Sequence, residues 1–407
     1  MTQPQGPTKT DVGTSIFAEV HANIERAMAR GMRKVARPRI LAAVGGLLVL
    51  AVVVGAGGIW LWGFIFGPRA ISAGSGPVSV AVSPDGRYLY AADEGNCDID
   101  TYRACDYVAI VDMHRGFTKI VKVDPEPADV AVDRAGDTLY VDYNSYDLDS
   151  AVSSQISRVS LPSGRVGEPL NFPGVAGPME MSPDGTVLYV PVQKGNGPIR
   201  IFPVDAASGI VGRAATLPDG VVPSAVAAGD DGEVYLATGD NRGRDDWVYS
   251  FNVRTGSIAG KVHVGYTPFG VQASADGRDL WMVGDNSECG SDDPSGCQGP
   301  RALVEISLPE MKIVKQVPLG PAPVCLAMDP SGRVVFVSGG DTRVDAIDAG
   351  TGRVEASLRT SAILANSPGG DPLLGPNIAV SPDGKTLYAI NSSGKIAVLS
   401  VAGYTGH

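Results

Sequence analysis

The residues of this chain best placed to do chemistry are carboxylates and aromatics gathered in a few long stretches between apolar segments. Asp98, Asp100 and Tyr102 share one stretch, and Asp142, Tyr146, Asp147 and Asp149 share a second. Asp245, Asp246 and Trp247 form a third, Asp292 and Asp293 a fourth, and Tyr266 stands on a nearby connection. Carboxylates interleaved with aromatic rings suit a cationic ligand, a basic protein surface or Ca²⁺. Asp142-x-Asn144 followed by Asp147 resembles the opening of a calcium loop, but the EF-hand glycine and closing glutamate are missing. These thirteen positions are therefore candidate ligand- or partner-binding residues. No catalytic residue is assigned and no cofactor is expected, Ca²⁺ being the one ion that the composition suits.

Enzyme signatures are scarce. Of the four histidines, His21 falls in the leading basic segment, His114 in a turn, His263 on an expected outer strand and His407 at the end of the sequence, so they are not expected to form a copper, haem or zinc cluster in the channel of one subunit. No Gly-x-Ser-x-Gly elbow occurs. Gly384-Lys385-Thr386 imitates the end of a phosphate-binding loop, but Ala379 stands where its first glycine is required. Loop carboxylates acting as a general acid and base are the one catalytic arrangement left open.

The five cysteines point to an oxidising compartment. Cys97 and Cys105 are eight apart, as are Cys289 and Cys297, and each pair falls in one of the long stretches. Two local disulfides are expected, each stabilising by about 2.5 kcal/mol in the chain-entropy model. Cys325 is left over and is expected to be a buried packing thiol.

The elements that must position these residues announce themselves by repetition. A turn glycine returns at Gly86, Gly136, Gly185, Gly232, Gly277, Gly332 and Gly384. Four residues later stands an aromatic: Tyr90, Tyr140, Tyr189, Trp281, Phe336 or Tyr388; in the fourth copy Tyr235 comes one residue sooner. Before each turn, apolar residues alternate with small ones, as in Val78, Val80 and Val82, which is the period of a strand. A proline opens each copy: Pro77, Pro127, Pro178, Pro223, Pro268, Pro323 and Pro376. Short strands repeating at this period predict a seven-bladed β-propeller over residues 70–407. The last copy has only three strands, so residues 70–74 are expected to add its fourth and close the ring.

The turns carry a resemblance. Ser83-Pro84-Asp85-Gly86, Ser182-Pro183-Asp184-Gly185 and Ser381-Pro382-Asp383-Gly384, with following Leu-Tyr strands, resemble the YVTN-type (YncE-like) β-propeller repeat family. Asp329-Pro330-Ser331-Gly332 and Ser274-Ala275-Asp276-Gly277 are near matches. The resemblance implies an all-β, seven-bladed propeller and, because the family is functionally mixed, no particular activity.

Residues 40–67 hold no charged side chain and would span about 42 Å as a helix, enough for a membrane. Arg26, Arg30, Arg33, Lys34, Arg37 and Arg39 precede the run, so its leading side should remain cytoplasmic and the propeller extracytoplasmic. An uncleaved single-pass anchor is expected, with residues 1–39 as a basic cytoplasmic segment containing an amphipathic helix. The chain's net charge is -11, and residues 1–39 carry seven Lys/Arg against three Asp/Glu. The remainder, with 33 − 7 = 26 basic and 44 − 3 = 41 acidic residues, is therefore strongly acidic, which disfavours nucleic acid.

Two functional readings follow. The first is a membrane-anchored, non-catalytic binding or assembly module for an envelope component or partner protein, working through long acidic loops. The alternative is a lactonase-like or other hydrolase with a carboxylate and metal site at the channel mouth. Carboxylates converging on the channel would favour the second, and carboxylates spread around the rim the first.

Overall fold

The computed structural model describes residues 69–93, 96–98, 103–104, 107–123, 127–143, 153–161, 163–239, 246–285, 300–320, 323–339, 341–360, 364, 377–391 and 393–405. The chain divides into two units, Met1–Gly67 and Pro68–His407, and all described residues belong to the second. No helix among the described residues is long and apolar enough to cross a membrane, and residues 40–67 lie outside them.

Among the described residues of the second unit are seven antiparallel sheets, one for each repeat, and a two-stranded ribbon in which Asn96–Asp98 pairs with Arg103–Ala104. Blade 1 is typical: an inner strand Pro77–Val82, a second strand Tyr88–Asp93, a third Tyr107–Asp112 and an outer strand Phe117–Lys122. Each inner strand contacts the inner strand of the next blade, and blade 7 returns to blade 1. The expected closure is present. Arg69–Ser72 pairs antiparallel with Lys395–Ser400, from Arg69 opposite Val398 to Ser72 opposite Lys395, and so becomes the outer strand of blade 7.

The repeated turn owes its shape to one hydroxyl. In blade 1 the Ser83 Oγ donates to Asp85 Oδ1 at 2.5 Å and accepts from the Tyr88 backbone N–H at 2.8 Å, while Gly86 adopts φ 70°. Blades 2 and 6 have aspartate in place of that serine, and the carboxylate takes over the accepting role. Thr138 N–H donates to Asp133 Oδ1 and Val334 N–H to Asp329 Oδ1. The weak matches in sequence thus make the same turn. In blade 4, Asp231 (φ 54°) and Gly232 (φ 86°) both take left-handed conformations, the signature of a two-residue type I′ hairpin. This tighter turn is why Tyr235 follows its glycine one residue early.

Blade 3 departs from the pattern. Pro191 sits inside the second strand, Val187–Gln193, where it offers no N–H to a partner. The inner strand accordingly breaks into Val175–Ala176 and Glu180–Met181, with Gly177 N–H donating to the Pro191 carbonyl between them.

The core lies between blades. Tyr90, Tyr140, Tyr189, Tyr235, Trp281, Phe336 and Tyr388 are all buried, each packed in a cluster shared with the following blade. Phe336 of blade 6, for example, meets Ile378, Leu387 and Leu399 of blade 7. Replacing Phe336 by alanine should cost about 3–5 kcal/mol by loss of buried surface and cavity formation. Urea unfolding of residues 68–407 would measure it, and a loss below about 1 kcal/mol would show that the ring is not carried by these contacts.

Candidate functional site

Strand direction sorts the surface into two faces. The repeat turns and the turns between third and outer strands lie on one. The ends of the second strands and the starts of the inner strands lie on the other, and it is from those strand ends that the long acidic stretches of the sequence depart. Of the residues singled out from sequence, Asp100, Tyr102, Tyr146, Asp147, Asp149, Asp245, Asp292 and Asp293 lie outside the described residues, as do Cys105, Cys289 and Cys297. Cys97 and Asp98 are in a short strand, Asn96–Asp98, whose side chains are likewise outside them. Cys325 is a free, half-buried thiol on the inner strand of blade 6.

The described candidates lie at strand ends or on a short connection. Asp142 belongs to the second strand of blade 2, Thr138–Tyr143, and is 2% exposed. Its Oδ1 accepts the Tyr143 N–H at 2.8 Å, so a calcium loop starting there would first have to break strand structure. Asp246 is also 2% exposed. Trp247 opens the third strand of blade 4, half-buried beneath Lys261, whose Nζ is 4.4 Å from the ring centroid, and edge-on to His263 at 5.1 Å. Tyr266 is half-buried against the core between blades 4 and 5.

What the structure brings together is a set of carboxyl groups just below that face. The inner strands of blades 1, 2, 4, 5 and 6 change register immediately after their opening proline. The bulge places the residue two beyond the proline at the junction with the neighbouring blade. In blade 2 that residue is Asp129. Its Oδ1 accepts the Ser79 hydroxyl of blade 1 at 2.8 Å, and its Oδ2 accepts the Met179 N–H of blade 3 at 3.0 Å. One carboxylate thereby ties three blades. Asp142 is its cross-strand partner, and Glu180 occupies the corresponding position in blade 3.

No cation among the described residues pairs with this group. Burial pushes the Asp129 carboxyl up to about 6, against the pull of its hydrogen bonds. Burial likewise raises Asp142 and Glu180 well above the usual carboxylate range, and the charge of Asp129 adds to both shifts. The Cys325 thiol is raised by burial too, with a smaller contribution from Glu180. Glu180 starts the second piece of the broken inner strand of blade 3, which lies against the inner strands of blades 2 and 4. Both oxygens of Asp129 and Oδ1 of Asp142 are already occupied as acceptors by the frame. Among the described residues no three His, Cys, Asp or Glu side chains are arranged to hold an ion.

Other acids at this end are structural. Asp93 accepts the Gly76 N–H at 3.2 Å and the Tyr107 hydroxyl at 3.2 Å, and with burial its charge pushes Tyr107 up to about 12. Gly74 lies so close that a Cβ there would fall 1.2 Å from Asp93 Oδ2, so the entry into blade 1 requires glycine. Between blades 5 and 6 lies a shallow, open hollow with room for little more than a water molecule, lined in part by Leu319, Pro323, Val337, Asp341, Arg343 and Asp345. There Arg343 Nε donates to Asp341 Oδ2 at 2.7 Å.

Sequence reasoning missed Asp129 and Glu180. The signal was present: the position two beyond the opening proline reads Ser79, Asp129, Glu180 in the first three copies, then Ala225, Gly270, Cys325 and Ile378. Polar residues confined to three consecutive blades mark one sector of the ring.

No family model matches the chain, and no curated protein matches it. Solved structures do. Hydrazine synthase of Kuenenia stuttgartiensis superposes with TM-score 0.63 at 20% identity, over 81% of this chain and 96% of that one. The Cps50 (Swd1) β-propeller domain of Myceliophteria thermophila gives 0.58 at 13% identity, over 82% and 99%. At such identities the likeness is one of fold. The chain is a seven-bladed β-propeller.

The raised carboxyls set a pH dependence. Asp129 holds its proton more tightly folded than unfolded, so its contribution is full below about pH 4 and is lost as pH rises through about 6. Stability should therefore fall by on the order of 3 kcal/mol between pH 4 and 7.5 on account of Asp129 alone. Asp129→Asn should remove that share in urea titrations at several pH values. An unchanged pH slope in the variant would refute the assignment.

Proposed function

We propose that the chain is a membrane-anchored, extracytoplasmic β-propeller of the YVTN-repeat kind that acts as a binding or assembly module. Its partner is a basic protein surface or another cationic component of the cell envelope, engaged through the long-loop face. One observation carries this reading: the acids at that end fall into two classes. Asp93, Asp129 and Asp142 are buried and bonded to the frame. What is left for a partner is the set of acids Asp98, Asp100, Asp147, Asp149, Asp245, Asp292 and Asp293, which in sequence follow the second strands of blades 1, 2, 4 and 5. Acids ringing one face give a field that steers and selects cationic partners. The uncharged run at 40–67, the basic residues before it and the paired cysteine spacing support the anchored, extracytoplasmic placement.

A second reading keeps some weight because Asp129, Asp142 and Glu180 do converge. A hydrolase using them would need one carboxyl as acid and another as base, and Asp129 would have to leave its bonds to Ser79 and Met179. The binding reading asks for no such rearrangement.

Replacing Asp98, Asp147, Asp245 and Asp292 together by asparagine should abolish crosslinking of the intact protein to its partner in native membranes, with the fold retained by circular dichroism. Retention of every crosslinked partner would overturn the binding reading. Turnover of a lactone panel by purified residues 68–407, dependent on added divalent metal and lost in Glu180→Gln, would establish the second.

A further inference from the structure

The outer flank of blade 4 gathers side chains that the binding reading above does not use. Its third strand, Trp247–Asn252, and its outer strand, Ser257–His263, pair so that Trp247 lies opposite His263 and Tyr249 opposite Lys261. Directly opposed residues share a face of the sheet. Here it is the face turned towards blade 3, because Tyr249 packs on a cluster in which Leu236 and Phe251 of blade 4 meet Ile199, Ile201 and Leu217 of blade 3. Trp247 and Tyr249 are half-buried, while Lys261 and His263 are exposed. Rings hold the two exposed groups in place. The Lys261 Nζ stands 4.4 Å from the Trp247 ring centroid and 5.9 Å from that of Tyr249. The His263 ring meets the indole edge-on, with centroids 5.1 Å apart. A lysine on an open surface samples many rotamers, and immobilising it opposes binding; here the aromatic pair already restrains it.

What the patch lacks is an acid. Among the described residues no ion pair or hydrogen bond joins Lys261, His263 or the Trp247 indole N–H to an acceptor. The same place in two other blades is supplied with one. The third strand of blade 1 opens with Tyr107 opposite Asp93, which accepts its hydroxyl at 3.2 Å. That of blade 5 opens with Arg301 opposite Asp285, and the two pair at 4.0 Å. In blade 4 the residue opposite Trp247 is Thr238, which brings no charge. The donors on this flank are thus left facing solvent in a chain of net charge -11.

We propose that this flank of blade 4 binds a phosphate group, with the Lys261 ammonium as its counter-charge and the His263 ring and the Trp247 indole N–H as further donors. Lysine engages phosphate as a compact point charge, and phosphate has enough acceptor oxygens to answer every donor of the patch. A carboxylate, with fewer oxygens, would leave one donor without an acceptor. The site is opposite in sign to the acidic stretches of the chain and stands independently of any partner they take. Net negative charge repels phosphate from the surface at large, so saturable binding reports a local site and not a diffuse attraction.

The test is isothermal titration calorimetry of the full-length chain in non-ionic detergent with inorganic tripolyphosphate, and in parallel with trigalacturonate, which carries carboxylates and no phosphate. Saturable binding of tripolyphosphate is expected, weakened about tenfold in Lys261→Met, which keeps an apolar stem over the rings but removes the charge. Lys261→Arg should retain binding and His263→Gln should weaken it. Arg278→Gln, which removes an exposed cation from the repeat turn of blade 5, should leave the affinity unchanged. Should Lys261→Met lose its fold by circular dichroism, His263→Gln decides. Absence of saturable binding, wild-type affinity in the folded variants, or equal binding of trigalacturonate would each overturn the phosphate site.

Discussion

In every blade one aromatic ring on the second strand is driven into the blade that follows, and the seven contacts form a circle with no free member. Tyr388 of blade 7 sits with Leu89, Ala91 and Val111 of blade 1, as Tyr90 of blade 1 sits with Val130, Leu139 and Val141 of blade 2. A sheet of four short strands cannot bury both its faces alone, so each blade depends on its neighbours. A circle of this kind is only as strong as its closing contact. That contact combines the Tyr388 cluster with the pairing of Arg69–Ser72 on Lys395–Ser400, which joins the two ends of the unit. The placement of every loop follows from it.

The same constraint explains how the carboxyls divide. At the long-loop end the inner strands of blades 1, 2, 4, 5 and 6 bulge after proline, and the bulge turns a side chain into the seam between blades. Where that side chain is Asp129, the seam is fastened by hydrogen bonds to blades 1 and 3 at the cost of burying a carboxyl that no cation among the described residues pairs with. Burial raises Asp129, Asp142 and Glu180, and the first two spend their oxygens as hydrogen-bond acceptors within the frame. On the turn face the balance differs: Asp85, Asp184, Asp276 and Asp383 are lowered by serine hydroxyls and backbone N–H groups, because their hydrogen bonds come without burial.

The blade count, the turn positions, the buried aromatics and the ring closure were legible in the sequence because each is repeated, and repetition averages out local noise. Asp133 and Asp329 looked like departures from the turn until their carboxylates proved to accept the bond that serine accepts. Single events were not legible. Pro191 splits the inner strand of its blade through a missing N–H on the neighbouring strand, which strand periodicity does not register. Asp142 and Asp246 read as loop acids because acidic residues surround them, yet each sits at a strand end and is buried. Asp129 and Glu180 escaped notice for the converse reason, being carboxylates in segments that otherwise read as core strand.

Hydrogen exchange on the intact protein tests the closed ring most directly. If blade 7 is fastened as described, the amides of Ile71 and of its partners Ile396 to Val398 should exchange only through global unfolding, with the same protection as the third strand of blade 4, Trp247–Asn252. Exchange of the 69–72 and 395–398 amides at rates far above that strand, under conditions where the rest stays protected, would show an open ring and contradict the account.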